Sequence, residues 1–109
     1  MDLAFLKGLT ENYLPLVPNN SPPVTRGLLF MITVPSETIG SQLASELKRT
    51  GYTQLRLEKI RIFIAKKWRL SGLSCPVKYT PSDIHAWLDR IDALARTHGA
   101  QLETWTPSE

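Results

Sequence analysis

The sequence predicts one compact domain of the α+β class. Segments with the length and composition of β-strands alternate with two segments of helical periodicity, in the order strand, helix, strand, strand, helix, strand. Both helical segments carry capping residues at their ends. The chain has 109 residues, of which 42% are hydrophobic, which is enough for one core and too little for two ordinary domains.

Residues 1–25 are predicted to form an N-terminal arm and a proline-rich linker. The apolar residues of positions 2–14 have roughly helical spacing, and the four prolines at positions 15, 18, 22 and 23 then interrupt regular structure. We expect the arm to pack either on the domain or on a partner. The domain itself is placed at residues 26–106, followed by a short tail at 107–109.

The first strand and the first helix of the domain are predicted at residues 27–34 and 37–50. The strand segment, GLLFMITV, is apolar on both faces, so we expect a central strand that is covered on both sides. Ser36 is the predicted N-cap of the helix, and Gly51 the left-handed residue that ends it. Apolar residues four apart define the buried side of this helix, namely Ile39, Leu43 and Leu47.

The next two strands are predicted to form a tight hairpin. Residues 52–57 alternate between apolar and polar side chains, and residues 60–69 begin with three isoleucines at alternate positions. Only Glu58 and Lys59 separate the two segments, so we expect the turn there. Residues 70–79 are predicted to form a loop.

The second helix has the clearest boundaries. Thr80 is its predicted N-cap, Pro81 occupies the first helical position, and Gly99 ends the helix. Steps of three and four join the apolar residues that should face the core, namely Ile84, Trp87, Leu88, Ile91, Leu94 and Ala95.

A short last strand is predicted at residues 101–106, with Leu102 and Thr104 on one face and Trp105 on the other. The simplest arrangement of these elements is the ferredoxin-like βαββαβ fold, a four-stranded antiparallel sheet with two helices on one face. It places the strands of Phe30 and Ile62 side by side in the middle of the sheet.

Composition and motifs exclude several classes of protein. No apolar run approaches the ~20 residues of a membrane span, and the N-terminal residues do not resemble a secretory signal, so we expect a cytoplasmic protein. One cysteine cannot form an internal disulfide. Cys75, His85 and His98 do not form a pattern typical of nucleophilic catalysis or of metal binding. We therefore predict no enzyme, no metal site and no cofactor.

Basic residues are concentrated in one part of the sequence. Nine of the thirteen lie between Lys48 and Lys78, where Glu58 is the only acidic residue. Such segregation creates an attractive field for an anionic partner, although a solvated positive face would have the same composition. The predicted partner-binding residues are Arg56, Lys59, Arg61, Phe63, Lys66, Lys67, Trp68 and Arg69.

Two kinds of partner fit this pattern. A protein partner is favoured by an apolar sheet face with Leu29, Met31, Phe63 and Ala65, if the N-terminal arm leaves this face uncovered. Trp68 beside Arg69 also favours a protein, since these residue types are enriched in interface hot spots. RNA is the alternative, because Phe63 could stack on a base while Arg61 and Lys67, in the same alternation, hold phosphates. The oligomeric state is left open.

The C-terminal half carries a pattern similar to a known family. The segment TPSDIHAWLDRIDALARTHGAQLETW resembles the ribonuclease E inhibitor (RraB-like) family, in which a proline-led helix with an L..L...A..HG ending runs into a strand that closes on tryptophan. The segment LLFMITVPSETIGSQLASELKRTGY is similar to the strand and helix of that family, with its terminal Gly-Tyr. The positions of this chain that match are Pro81, Leu88, Leu94, Ala95, His98, Gly99 and Trp105, with Gly51 and Tyr52.

The resemblance covers roughly residues 27–106 and implies a ferredoxin-like domain that restrains an endoribonuclease by binding it, without catalysis. Domains of this type also suit an immunity protein that neutralises a toxin nuclease. We therefore expect a small protein-binding inhibitor of a ribonuclease or toxin, with RNA binding as the alternative function.

Overall fold

A computed structural model describes residues 3–13, 25–62 and 65–108 of the chain. It confirms the predicted α+β class. The helices are α1 (Leu3–Tyr13), α2 (Glu37–Arg49) and α3 (Pro81–Thr97). The strands are β1 (Thr25–Arg26), β2 (Leu28–Val34), β3 (Thr53–Ile62), β4 (Ala65–Leu73), β5 (Val77–Lys78) and β6 (Gln101–Pro107). No helix among the described residues is long and apolar enough to cross a membrane.

Four of the strands form an antiparallel sheet in the order β3-β4-β2-β6. The predicted central position of β2 is therefore confirmed. The predicted pairing of the strands of Phe30 and Ile62 is wrong, because Ile62 belongs to the edge strand β3 and β4 lies beside β2. A second sheet pairs β1 with β5, although residues 70–79, which include β5, were predicted to be a loop. Ser74, between β4 and β5, is hydrogen-bonded to the start of β2. Its amide donates to the Leu28 carbonyl (2.9 Å), and its hydroxyl accepts from the Leu28 amide (2.8 Å).

The faces of β2 differ sharply in burial, which corrects the prediction that both are covered. Leu28, Phe30, Ile32 and Val34 are buried. On the opposite face Leu29 and Met31 are exposed and Thr33 is half-buried. The apolar sides of all three helices join the buried side chains of β2 in a single core cluster. Because these helices share one side of the sheet, no helix among residues 3–13, 25–62 and 65–108 covers the other side of β2.

The β3–β4 hairpin differs from its predicted position. β3 continues through Glu58 and Lys59 to Ile62, and β4 begins at Ala65. The predicted strand at 60–69 is therefore divided between the end of β3 and the start of β4. Charged residues at 58 and 59 are compatible with a continuous strand, because β3 is an edge strand and such strands carry charge on exposed positions.

Both helices of the predicted domain begin and end as expected. The hydroxyl of Ser36 accepts from the Ile39 amide (3.2 Å), and that of Thr80 accepts from the Asp83 amide (3.3 Å). Gly51 and Gly99 have positive φ values of 95° and 69°, which glycine adopts without a steric penalty. The core face of α3 is confirmed at the buried residues Ile84, Trp87, Leu88, Ile91 and Ala95.

A bulge in β6 corrects the predicted faces of the last strand. Met31 pairs with Thr104 and Ile32 with Leu102, so Glu103 is an extra residue in β6. An extra residue reverses the alternation of side chains. As a result Leu102 and Trp105, three positions apart, are both buried.

The N-terminal helix α1 packs on the domain beside α3 and β6. Leu6 is fully buried, and its carbonyl accepts a hydrogen bond of 2.7 Å from the indole nitrogen of Trp105. Lys7 forms an ion pair of 2.8 Å with Asp89 of α3. Residues 14–24, the predicted linker, lie outside the described residues.

Aromatic side chains link the helices to the sheet. Trp105 and Trp87 meet edge to face with ring centroids 6.3 Å apart. The indole nitrogen of Trp87 donates to the Tyr52 hydroxyl (2.7 Å), and Tyr52 meets the Phe30 ring edge to face. Burial raises the pKa of Tyr52 above its ordinary value, because the ionised phenolate loses hydration. Phe30 is thus a core residue.

Candidate functional site

The sheet face opposite the helices, here called the open face, is the candidate site. Its members follow from the strand register, since directly paired residues share a face. Leu29 and Met31 of β2 pair with Leu73 and Ser71 of β4, and with Thr106 and Thr104 of β6. A groove of about 380 Å³ crosses this face, lined by Leu29, Met31, Arg56, Ser71, Thr104 and Thr106 among others.

The centre of the open face is apolar. Leu29 and Met31 each remain 40% exposed, and Phe5 on α1 is the other large hydrophobic side chain with high exposure in the described ranges. Two adjacent apolar side chains on a central strand differ from a scattered surface leucine, because they form one patch with a polar surround. Such a patch is typical of an interaction surface.

Ion pairs neutralise part of the positive charge of the open face. Arg56 Nε lies 2.5 Å from a carboxylate oxygen of Glu58, and Arg69 Nε lies 3.6 Å from one of Glu103. Lys67 is exposed and has no ion pair among the described residues. The Arg56–Glu58 pair is largely exposed and contributes little stability, so Arg56 can exchange its partner for a group of a bound molecule, whereas Arg69 and Glu103 are half-buried.

Glu103 is held by two contacts. Besides Arg69, the hydroxyl of Thr33 donates a hydrogen bond to its carboxylate. The bulge in β6 brings Glu103 to this position beside β2. The sequence prediction did not include Glu103 in the site.

The predicted partner-binding residues lie on both sides of the hairpin. The register places Arg56, Lys67 and Arg69 on the open face and Lys59, Arg61 and Trp68 on the other. Trp68 is half-buried against the core. Lys66 pairs with Arg61 in the register, and Phe63 lies outside the described residues.

The RNA-binding hypothesis required Arg61 and Lys67 to lie on the same face of the sheet, but they lie on opposite faces. That hypothesis assumed one strand through both residues. The chain instead reverses between Ile62 and Ala65, so that Arg61 pairs with Lys66 and Ile60 with Lys67. Compared with one continuous strand, the reversal places every residue that follows it on the opposite face of the sheet.

The hairpin extends beyond the rest of the sheet. β2 ends at Val34, which pairs with Trp68, whereas β3 and β4 continue their pairing to Ile62 and Ala65. This end of the hairpin is a two-stranded ribbon. It carries the exposed cations Arg61 and Lys67 away from the core.

The candidate nucleophile and bases lie in separate surroundings. His85 Nε2 is 3.3 Å from the Lys7 carbonyl oxygen, and His98 Nε2 is 3.0 Å from a carboxylate oxygen of Glu46. In the described ranges no hydrogen bond joins Cys75 to a histidine. No group of three potential metal ligands was found among the same residues.

Part of the groove wall could not be read from the sequence pattern. Thr104 and Thr106 reach the open face only because of the β6 bulge. A possible signal was the spacing of Leu102 and Trp105, since two large apolar residues three apart in a short strand conflict with simple alternation. Leu29 and Met31 were correctly expected on one apolar face.

Comparison with known proteins finds no matching family model, no similar curated protein and no similar solved structure. The ribonuclease E inhibitor resemblance therefore stays a prediction from sequence motifs.

Proposed function

We propose that this chain is a small non-enzymatic domain that binds another protein on its open face. The observation that carries the proposal is the exposure of Leu29 and Met31 in the groove. Burial of apolar surface contributes roughly 25 cal/mol per Å². Polar and charged side chains surround the two residues, as in protein interfaces with an apolar centre and a polar rim.

The proposal includes a ferredoxin-like fold for the domain. The chain order β2, α2, β3, β4, α3, β6 and the antiparallel strand order β3-β4-β2-β6 support it, since the split βαβ motif places strands in this way. α1 and the β1–β5 pair are additions to this arrangement.

The proposed biological role is inhibition of a ribonuclease, or neutralisation of a toxin nuclease by an immunity-type domain. This part rests on the sequence resemblance. Inhibition by binding needs no catalytic group and only a surface that covers the partner. Arg56, Lys67 and Arg69 on the open face favour a partner surface that combines apolar and acidic residues.

The open face favours a protein over RNA. Sheets that bind single-stranded RNA stack its bases on exposed aromatic rings. Phe30 is in the core, Trp105 is buried and Trp68 packs against the core from the helix side. The described residues thus provide no aromatic ring on the open face.

A capture experiment tests the proposal with the double variant Leu29→Glu, Met31→Glu. The wild-type chain and the variant are immobilised and incubated with nuclease-treated lysate of the source cells. We expect the wild type to retain a protein and the variant to retain at least tenfold less, because two carboxylates in the groove disfavour burial.

The matched control is Gln42→Glu, Ser45→Glu, which adds two carboxylates at exposed positions of α2. It should retain as much protein as the wild type, and circular dichroism should show all three folded. Equal retention by the double variant would contradict binding on the open face. Material captured from untreated lysate but not from nuclease-treated lysate would instead indicate RNA.

A further inference from the structure

We propose that the outer edge of β3 accepts an acidic extended strand of the partner protein, which would become the fifth strand of the sheet. The inference rests on the proposed function only in taking the ligand to be a protein. It concerns the sheet edge, whereas the proposed function concerns the open face.

The first observation is the backbone of β3. It is an end strand of the sheet order, and β4 is its one strand neighbour in the described part of the chain. It has ten residues, and the irregular pairing is confined to Thr53–Arg56, where Gln54 has a φ of 53°. From Arg56 to Ile62 every residue is paired in an unbroken register with β4. Alternate residues of such a strand direct their N–H and C=O groups outward.

The second observation is the charge along this edge. β3 contains three cations, Arg56, Lys59 and Arg61, and one carboxylate, Glu58. Lys59 and Arg61 are exposed, and neither forms an ion pair with another described residue. An added strand would lie roughly 4.8 Å away, a separation at which opposite charges attract and like charges repel.

The charge also decides between a partner and a second copy of the chain. Two β3 strands brought together would combine six cations with two carboxylates, so they would repel each other. A strand with glutamate or aspartate at alternate positions would instead pair with Lys59 and Arg61. The edge therefore favours an acidic strand from another protein.

The third observation is a cavity beside the start of β3. It has a volume of about 420 Å³ and lies between the C-terminal end of α2 and β3, lined by Lys48, Tyr52, Thr53, Gln54 and Leu55. In strand addition, backbone hydrogen bonds provide affinity and pockets for alternate side chains provide specificity. This cavity can receive one side chain of the added strand, with Lys48 as a further cation.

The opposite edge of the sheet is less suitable. β6 contains the bulge at Glu103, and α1 packs beside it. A bulge interrupts the regular series of backbone groups that an added strand needs. Of the two edges, β3 has the longer regular run.

The test uses the full chain and a fluorescein-labelled ten-residue peptide in which valine or threonine alternates with glutamate. Fluorescence anisotropy measures binding, and NMR measures hydrogen exchange of the β3 amides. We expect the peptide to bind, to slow exchange of outward β3 amides at least tenfold, and to bind more weakly as salt increases. The protein variant Lys59→Glu, Arg61→Glu should bind it at least tenfold more weakly.

Two controls are matched to these changes. The reversal of two exposed cations elsewhere, Lys78→Glu and Arg90→Glu, should leave peptide affinity unchanged. A peptide with two central prolines, which lacks the corresponding amide donors, should not bind. Absence of binding by the acidic peptide, equal binding by a lysine peptide, or protection that leaves out the outward β3 amides would overturn the proposal.

The two proposals fail in different ways. If the acidic peptide does not bind but the open-face variant still loses the captured protein, only the edge proposal is wrong. If the peptide protects β3 while Leu29→Glu, Met31→Glu retains the partner, the open face is wrong and the edge stands.

Discussion

Replacement of Trp105 by alanine is expected to lower the free energy of unfolding by about 3–5 kcal/mol. Trp105 is fully buried, meets Trp87 edge to face and donates its indole N–H to the Leu6 carbonyl. Truncation removes one of the two buried tryptophans between α1, α3 and β6 and leaves a cavity that the neighbouring side chains fill incompletely. Urea unfolding followed by circular dichroism measures the change.

Two further variants separate the causes of this loss. Thr106→Ala, at the exposed neighbouring position, should change stability by no more than about 0.5 kcal/mol. Trp105→Phe keeps a ring but loses the N–H donor, so it should cost less than alanine and should speed hydrogen exchange in α1. If the alanine variants of Trp105 and Thr106 unfolded at the same urea concentration, the described position of β6 would be wrong.

The second large effect is expected at the core face of α3. Leu88 is fully buried, and Leu88→Ala should cost about 2–5 kcal/mol through lost apolar contact and a cavity. Arg90→Ala, two positions along on the exposed side of the same helix, should stay within about 0.5 kcal/mol. Equal denaturation midpoints for the two variants would show that another face of α3 is buried.

The helices could be predicted because their signals are local. Ser36 and Thr80 cap the helices with their own hydroxyls, and Gly51 and Gly99 end them in the left-handed region. Each signal depends on residues within one or two turns. The alternation of strands and helices along the chain and the central position of β2 followed from these helices and from connection rules.

The turn of the β3–β4 hairpin could not be placed in the same way. Residues 52–69 contain no glycine, asparagine or proline, so no turn residue marked where the chain reverses. The predicted turn at 58–59 is wrong, and the strands instead pair through Glu58 and Arg69.

The misplaced turn also made the predicted faces of the site residues wrong. When a turn moves along a hairpin, each residue that changes strand can also change face. The basic residues of 56–69 therefore do not form a single patch, since Lys59 and Arg61 lie on the side opposite Lys67 and Arg69. The cations were identified by composition, but their faces depended on a long-range register that composition does not contain.

The exposure of Leu29 and Met31 could not be predicted from the β2 segment alone, because it depends on which side of the sheet the helices cover. A strand that is apolar on both faces is usually covered twice. Here α1, α2 and α3 share one core cluster with the buried side of β2, so none of the three described helices covers the other side. The apolar residues left uncovered are the basis of the proposed interface.

The central claim, that a protein docks on the open face, is tested most directly by methyl NMR of Met31. The chain has two methionines, Met1 and Met31, so methyl labelling of methionine yields two signals, and a Met31→Leu variant identifies the one from the groove. We predict that the Met31 methyl signal shifts or broadens as the captured partner reaches an equimolar amount. A Met31 signal that stays unchanged at saturating partner concentration would contradict the claim.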